Sequence, residues 1–354
     1  MSPTTRLTTH TDIATSLALL SDHELAERVA SGTPLNTGIG GRAALLEVDG
    51  RRVFVKRIPL TDIERRPENV HSTANLFGLP PYCHYGVGTI GGPGFGAWRE
   101  LALHTMTTNW VLSDRFPGFP LMHHWRVLPD SPQPLPDELA DVERAVAYWG
   151  GSPGLRDRAE GLRTASASLT LFLEYVPHTL HDWLDARIHT ADADAACAMV
   201  EGQLRELTDF LGGTELLHFD AHFNNILTDG RQLYLADYGL SLSSRFHLTP
   251  QERAFHDRHR HYDRDYTTMY LVIWLVTALY GHRGPEREAF IRAWADGTRP
   301  TDGIPRAAAD IITRYARPAA VMEDFVRRFR EEDRLTPYPY DGLRAAYSNS
   351  TLSA

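Results

Sequence analysis

Lysine is almost missing from this chain. Of its 36 lysine and arginine residues a single one, Lys56, is lysine. A bias this strong makes arginine the default cation. A lysine that survives it marks either chance or a place where a compact ammonium on a thin stem is needed, which a planar guanidinium cannot replace. Cysteine is scarce too. Cys83 and Cys197 stand far apart, which excludes a disulfide framework or thiolate zinc spacing and makes a reducing cytoplasm the default location. No apolar run reaches the ~20 residues of a membrane-spanning helix. The most apolar stretch, TTMYLVIWLVTALYG at 267–281, predicts a helix buried in a large lobe. The early run IATSLALL has one upstream arginine and no secretory pattern. There is no basic excess either. The net charge of -9 argues against broad nucleic-acid binding. Neither nucleic acid nor membrane is therefore an expected partner.

What is present suffices for two subdomains: 354 residues, 42% of them hydrophobic. Residues 1–33 read as an N-terminal extension with a short helix, opened by a capping box of Ser21 and Glu24. GTPLNTGIGGRAALLEVDGRRVFVKRIPL then reads as strand, glycine-rich turn, strand, Asp-Gly turn and strand. Alternation in the last strand sets Val53, Val55 and Arg57 on one face and Phe54 and Lys56 on the other. Residues 78–97 form a loop dense in glycine and proline. Within it, GVGTIG matches a dinucleotide fingerprint literally but lacks the helix that must follow, leaving a flexible loop or a flap. AWRELALHTMTTNWVL predicts a helix, FPLMHHWRVL a strand, and proline-rich residues 129–138 open an insertion reaching about 167. SLTLFLEYV is a buried strand. From 177 onward the pattern is mostly helical, with residues 347–354 as a flexible tail. Strands with one helix, then helices with one hairpin, predict an α+β chain of two lobes, 34–176 and 177–346.

One segment carries the chemistry: LLHFDAHFNNILTDGRQLYLADYG, residues 216–239. NILTDGRQLYLAD predicts a hairpin with Asp229-Gly230 as its tight turn. Asn225 enters the first strand and Asp237 leaves the second, so a hairpin sets both at one open end. An amide oxygen beside a carboxylate suits Mg²⁺, a hard cation that takes oxygen ligands and bridges to phosphates. Asp220, five residues before Asn225, stands where a carboxylate could orient a hydroxyl and accept its proton.

HFDAHFNNIL followed by LADYG resembles the catalytic loop and metal-binding turn of the protein kinase-like superfamily. The resemblance implies a bilobal protein kinase-like fold, with a β-rich N-lobe and a mostly helical C-lobe, and a phosphotransferase using ATP and Mg²⁺. Asp220 matches the catalytic base, and Asn225 and Asp237 the metal ligands. Lys56 in VFVK matches the lysine on the α- and β-phosphates, and Glu100 looks like its helix partner. TGIGGRA resembles a degenerate glycine-rich phosphate loop, with Gly38, Gly40 and Gly41. FLEYV resembles the hinge that receives adenine, through backbone groups from Glu174 to Val176. His218 reads as orienting the loop, while His222 is balanced between packing and a phosphate or substrate contact. Residues 256–266, HDRHRHYDRDY, read as a solvated surface or a substrate segment; by the resemblance, Asp265 anchors the catalytic loop.

The departures sharpen the expectation. Phe219 stands where protein kinases have arginine, His222 replaces lysine two positions after the aspartate, and no Ala-Pro-Glu follows. Asp-x-His-x-x-Asn is similar to the aminoglycoside and choline kinase-like branch, so a small-molecule hydroxyl acceptor is the first expectation. LADYGLS looks more like a protein kinase, which keeps a protein serine/threonine kinase as the alternative. A pseudokinase that binds nucleotide or a partner without transfer is the alternative from another class.

Overall fold

The computed structural model describes residues 3–38, 41–298, 300–301 and 303–350. The chain is mixed α/β, with an antiparallel sheet in its first half and a helical C-terminal part. It divides into two compact units. One is Met1–Val176 with Ala236–Ser241 and Arg245–Gln251; the other is Pro177–Leu235 with Leu242–Ser244 and Glu252–Ala354. Among the described residues no helix is long and apolar enough to cross a membrane.

The first unit opens with two helices, α1 (Pro3–Ala18) and α2 (Asp22–Ser31). The Ser21/Glu24 capping box starts α2 as its sequence requires. The first helix is additional to the expected short one. Arg6, His10, Ile13 and Leu17 recur at helical spacing along it, and Ile13 and Leu17 are buried. Strands β1 (Thr33–Gly38), β2 (Gly41–Val48) and β3 (Arg51–Leu60) follow. Asp49 and Gly50 both take positive φ between β2 and β3, as a two-residue hairpin turn demands. Next come α3 (Asp62–Arg65), α4 (Ala97–Leu112), β4 (Met122–Pro129), α5 (Asp137–Ala140), α6 (Val142–Tyr148), α7 (Pro153–Thr164) and β5 (Ala167–Glu174). The five strands form one antiparallel sheet in the order β1-β2-β3-β5-β4.

Each face of the sheet has its own core. Val53 and Val55 pack with Ile13, Leu17, Leu25, Val29 and Phe172 on the side of α1 and α2. Ile58, Leu60, Leu169 and Leu171 pack with Ala97, Trp98 and Leu101 of α4 on the other. Strand alternation therefore turns Lys56 toward α4. Glu64, fully buried, sets where that helix starts. Its Oε1 accepts from the Ala97 amide at 2.7 Å, capping α4 where Gly96 has no side chain to do so. Its Oε2 accepts from Arg158 of α7 at 2.8 Å. The segment expected as an insertion is thus part of the unit's core, with Trp149 and Leu155 fully buried.

The loop at 86–96 is packed and not a free flap. Val87, Ile90 and Phe95 are buried. The Phe95 amide donates to Gly239 O at 3.2 Å. His84 lies parallel to Phe95, ring centroids 3.6 Å apart, and its Nδ1 is 2.6 Å from Leu240 O. One backbone hydrogen bond and one imidazole–carbonyl contact thus tie the turn at Gly239 and Leu240 to this loop.

The second unit contains β6 (His178–Thr179), α8 (Leu180–Asp185), α9 (Ala193–Gly213), β7 (Leu216–Leu217), β8 (Ile226–Thr228), β9 (Leu233–Leu235) and β10 (Leu242–Ser243). Then come α10 (Pro250–Arg258), which begins in the first unit, α11 (Tyr262–Tyr280), α12 (Gly284–Ala295), α13 (Arg306–Glu331) and α14 (Tyr340–Ser350). The expected buried helix is α11, with Val272, Leu275 and Val276 fully enclosed. The hairpin pairs Ile226 with Leu235 and Thr228 with Leu233. Its loop has four residues rather than two, because Asp229 Oδ1 accepts from both the Arg231 and Gln232 amides and widens the turn. Of the expected flexible tail, residues 347–350 belong to α14, which continues to Ser350, with the Arg264 guanidinium 4.5 Å over the Tyr347 ring, and residues 351–354 lie outside the described residues.

Candidate active site

Two clusters hold most of the sequence-predicted residues, one in each unit. In the first unit, Lys56 is central to β3, paired across the sheet with Ala43 and Leu171. Its residue is 8% exposed, so the ammonium needs anions beside it. It has two: Nζ lies 2.6 Å from Glu100 Oε1 and 2.7 Å from Asp237 Oδ1. Burial works against the charged form, but the Asp237 and Glu100 carboxylates outweigh it and hold the pKa above the usual lysine value.

The two anions differ in exposure. The Glu100 side chain is 3% exposed and that of Asp237 43%. Asp237 therefore faces solvent while contacting Lys56. Its φ is +66°, a left-handed conformation that a non-glycine residue adopts at a cost of about 1–3 kcal/mol. Behind the pair, Tyr238 is buried and meets His104 edge-on, centroids 4.7 Å apart. His104 Nε2 is 3.8 Å from Glu100 Oε1, beyond hydrogen-bond reach, and burial lowers its pKa. It stands as a neutral wall one helical turn from Glu100.

At the end of β1, Gly38 pairs with Gly41. Gly41 has φ +121°, and a Cβ there would lie 2.2 Å from Arg57 O, so only glycine fits. Gly40 lies outside the described residues. Glu174 closes β5, where its amide donates to Leu121 O at 2.7 Å. Val176, half-buried, ends this part of the unit.

In the second unit the 218–225 loop is bound mostly to itself. Asn225 Nδ2 donates to Asp220 O and to Asp220 Oδ2, each at 3.0 Å. This leaves the amide oxygen as the atom Asn225 has for a cation. His222 Nε2 lies 3.6 Å from Asp220 Oδ1, and its Nδ1 accepts from the Asn224 amide at 3.2 Å. His218 is fully buried, and its Nδ1 accepts from the Asp220 amide at 3.3 Å. Phe219, also fully buried, takes φ +65° and packs on Tyr262 and Phe255.

The anchor of this loop is Asp263, not Asp265. Asp263 Oδ2 accepts from the His218 amide at 2.7 Å and Oδ1 from the Phe219 amide at 2.8 Å. Burial pushes its carboxyl up to about 6 against the pull of those two N–H groups. Two residues along a helix turn a side chain by about 200°. Asp265 therefore faces away, accepting from the Tyr338 hydroxyl and from Arg264. Residues 256–266 are accordingly not wholly solvated. His256, His259, Tyr262 and Asp263 are buried, while Asp257, Arg260 and His261 are exposed.

A carboxylate and an amide oxygen form a donor set suited to a hard cation. Among the described residues no three His, Cys, Asp or Glu side chains converge on a metal position. Sequence reasoning missed Glu64, Arg6 and Asp263. Arg6 had a signal, the 6-10-13-17 stripe; Asp263 had one too, as a carboxylate in the first turn of the apolar helix. No protein-family model and no curated protein matches this chain.

Proposed function

We propose that this chain is a kinase-like, bilobal phosphotransferase that moves the γ-phosphate of ATP to a hydroxyl of a small molecule, with Mg²⁺. The observation that carries the reading is the chain's only lysine, buried and held by two carboxylates at 2.6 and 2.7 Å. A buried ammonium with one anion enclosed and the other solvent-facing is suited to an anionic ligand. Phosphate oxygens can take up the charge that Asp237 shares, while Glu100 keeps the stem in place.

In this reading Lys56 binds the α- and β-phosphates and Glu100 fixes its rotamer. Gly38 and Gly41 bring backbone N–H groups toward phosphate, and the 174–176 backbone receives adenine. Asp220, held by Asn225 and by the His218–Asp263 scaffold, orients the acceptor hydroxyl and takes its proton. Asn225 and Asp237 supply oxygen ligands; bound Mg²⁺ would offset the phosphate charge. Catalysis is then mainly positioning and electrostatics. Phe219 and His222 favour a small acceptor. The Asp237-Tyr238-Gly239 turn favours the second reading, a protein serine/threonine acceptor.

A transfer screen with γ-labelled ATP tests this, against hydroxylated metabolites and generic protein substrates, with and without EDTA. Metal-dependent label on a metabolite is the expected result. Label on protein alone would favour the second reading. Nucleotide binding with no transfer would replace both with a nucleotide-binding module.

A further inference from the structure

We propose that Arg6, in the N-terminal helix, is a positioning residue for the nucleotide base. The inference rests on the reading of residues 174–176 as the adenine-receiving segment. Arg6 is 8% exposed, and its guanidinium works as a fork on the end of β5. Nε lies 2.8 and 3.0 Å from the two oxygens of Glu174, and Nη2 is 2.7 Å from Oε2. The guanidinium also donates to main chain before β4: Nη1 to Pro117 O at 3.0 Å and Nη2 to Phe119 O. Glu174 Oε2 also accepts from the Leu121 amide at 3.0 Å. The guanidinium thus ties β5 to the 117–121 segment, directly at Pro117 and Phe119 and through the Glu174 carboxylate at Leu121.

The helix is held in register independently. One turn on, His10 Nδ1 is 3.0 Å from His123 Nδ1 of β4, and Ile13 and Leu17 sit in the core beneath. Arg6 therefore reaches Glu174 from a fixed platform. A bidentate guanidinium–carboxylate pair fixes direction as well as distance. That orientation sets where the backbone N–H and C=O groups after Glu174 point. Its bonds to Glu174 and to two carbonyls point to an orienting role for Arg6 rather than a phosphate-binding one.

The test is calorimetric titration of Mg·ADP and of tripolyphosphate into wild type, Arg6→Ala, Arg6→Lys, Glu174→Gln and Val29→Ala. Val29 lies in the same core but on α2. We expect Arg6→Ala to weaken ADP by about tenfold, a loss of one oriented hydrogen-bonding contact to the base. Tripolyphosphate affinity should stay unchanged, and kcat at saturating ATP should hold while KM for ATP rises. Arg6→Lys, keeping charge without the fork, should fall between. Equal ADP affinity in Arg6→Ala and wild type would overturn the proposal. So would a Val29→Ala variant of matched stability that loses as much ADP affinity. If Arg6→Ala does not fold, Arg6→Lys and Glu174→Gln decide by the same base-selective loss. A wild type that binds no ADP would refute the reading of the site itself, which is a different outcome.

Discussion

Replacing Lys56 with methionine should unfold the first unit more easily, and removing Glu100 as well should undo most of that damage. The Glu100 carboxylate is 3% exposed and its nearest cation is Lys56. Truncating one partner of a buried pair costs ~3–5 kcal/mol, because the other charge is left without compensation. Asp237, 43% exposed, loses the same cation but regains water, so its share is small and the lower end of the range applies. We expect Lys56→Met to cost ~3 kcal/mol. In Lys56→Met/Glu100→Leu both charges are gone and the volume is roughly kept, so stability should return to within ~1 kcal/mol of wild type. Nucleotide binding should not return, because the ammonium is still missing. The assay is hydrogen exchange at β3 and α4 combined with urea unfolding, which reports this unit separately from the other. A single variant that costs less than ~0.5 kcal/mol, or a double variant no more stable than the single, would refute the argument that a buried carboxylate depends on Lys56.

Further consequences follow from the second unit. Asp220→Asn should retain Mg·ADP binding and lose transfer by about 10²–10⁴-fold, since the base goes while the shape stays; near-full transfer would remove Asp220 from its role. Phe219 sits in an aromatic cluster where an arginine could have received an activating phosphate, so phosphatase treatment verified by mass spectrometry should leave the rate unchanged. Asp263 is buried with its carboxyl raised to about 6. The folded state therefore holds this proton where the unfolded state has released it, and stability contributed by this group falls as pH rises from about 4 to about 6. Urea midpoints should show that slope in wild type and not in Asp263→Asn; equal slopes would refute the assignment.

Much of the first unit could be read from local pattern. The Asp49-Gly50 turn, the β3 alternation and the Ser21/Glu24 cap are set by neighbours in the chain. What escaped depends on partners distant in sequence. Glu64 reads as an ordinary capping-box glutamate, yet it caps α4 and binds Arg158, 94 residues away. Arg6 reads as one arginine among many, and only the sheet supplies Glu174, 168 positions on. The error at Asp265 has the opposite origin. Two aspartates in one helical turn, Asp263 and Asp265, look equivalent in sequence, and only the side of α11 that meets the loop distinguishes them. At the end of α9 two glycines, Gly212 and Gly213, stay in the helix, and the left-handed residue is Glu215, at φ +55°. Asp220 and Asn225, five residues apart in one loop, meet directly through the Asn225 amide and the Asp220 carboxylate.

The most direct measurement of the central claim uses the lone lysine. Lys56 offers the only side-chain amine in the chain, so an acyl-phosphate ATP analogue at low concentration should acylate it selectively, and excess Mg·ATP should protect it. Peptide mapping that finds Lys56 labelled and protected is the predicted result; Lys56 unlabelled, or labelled equally with and without Mg·ATP, would contradict a nucleotide site at Lys56, Glu100 and Asp237.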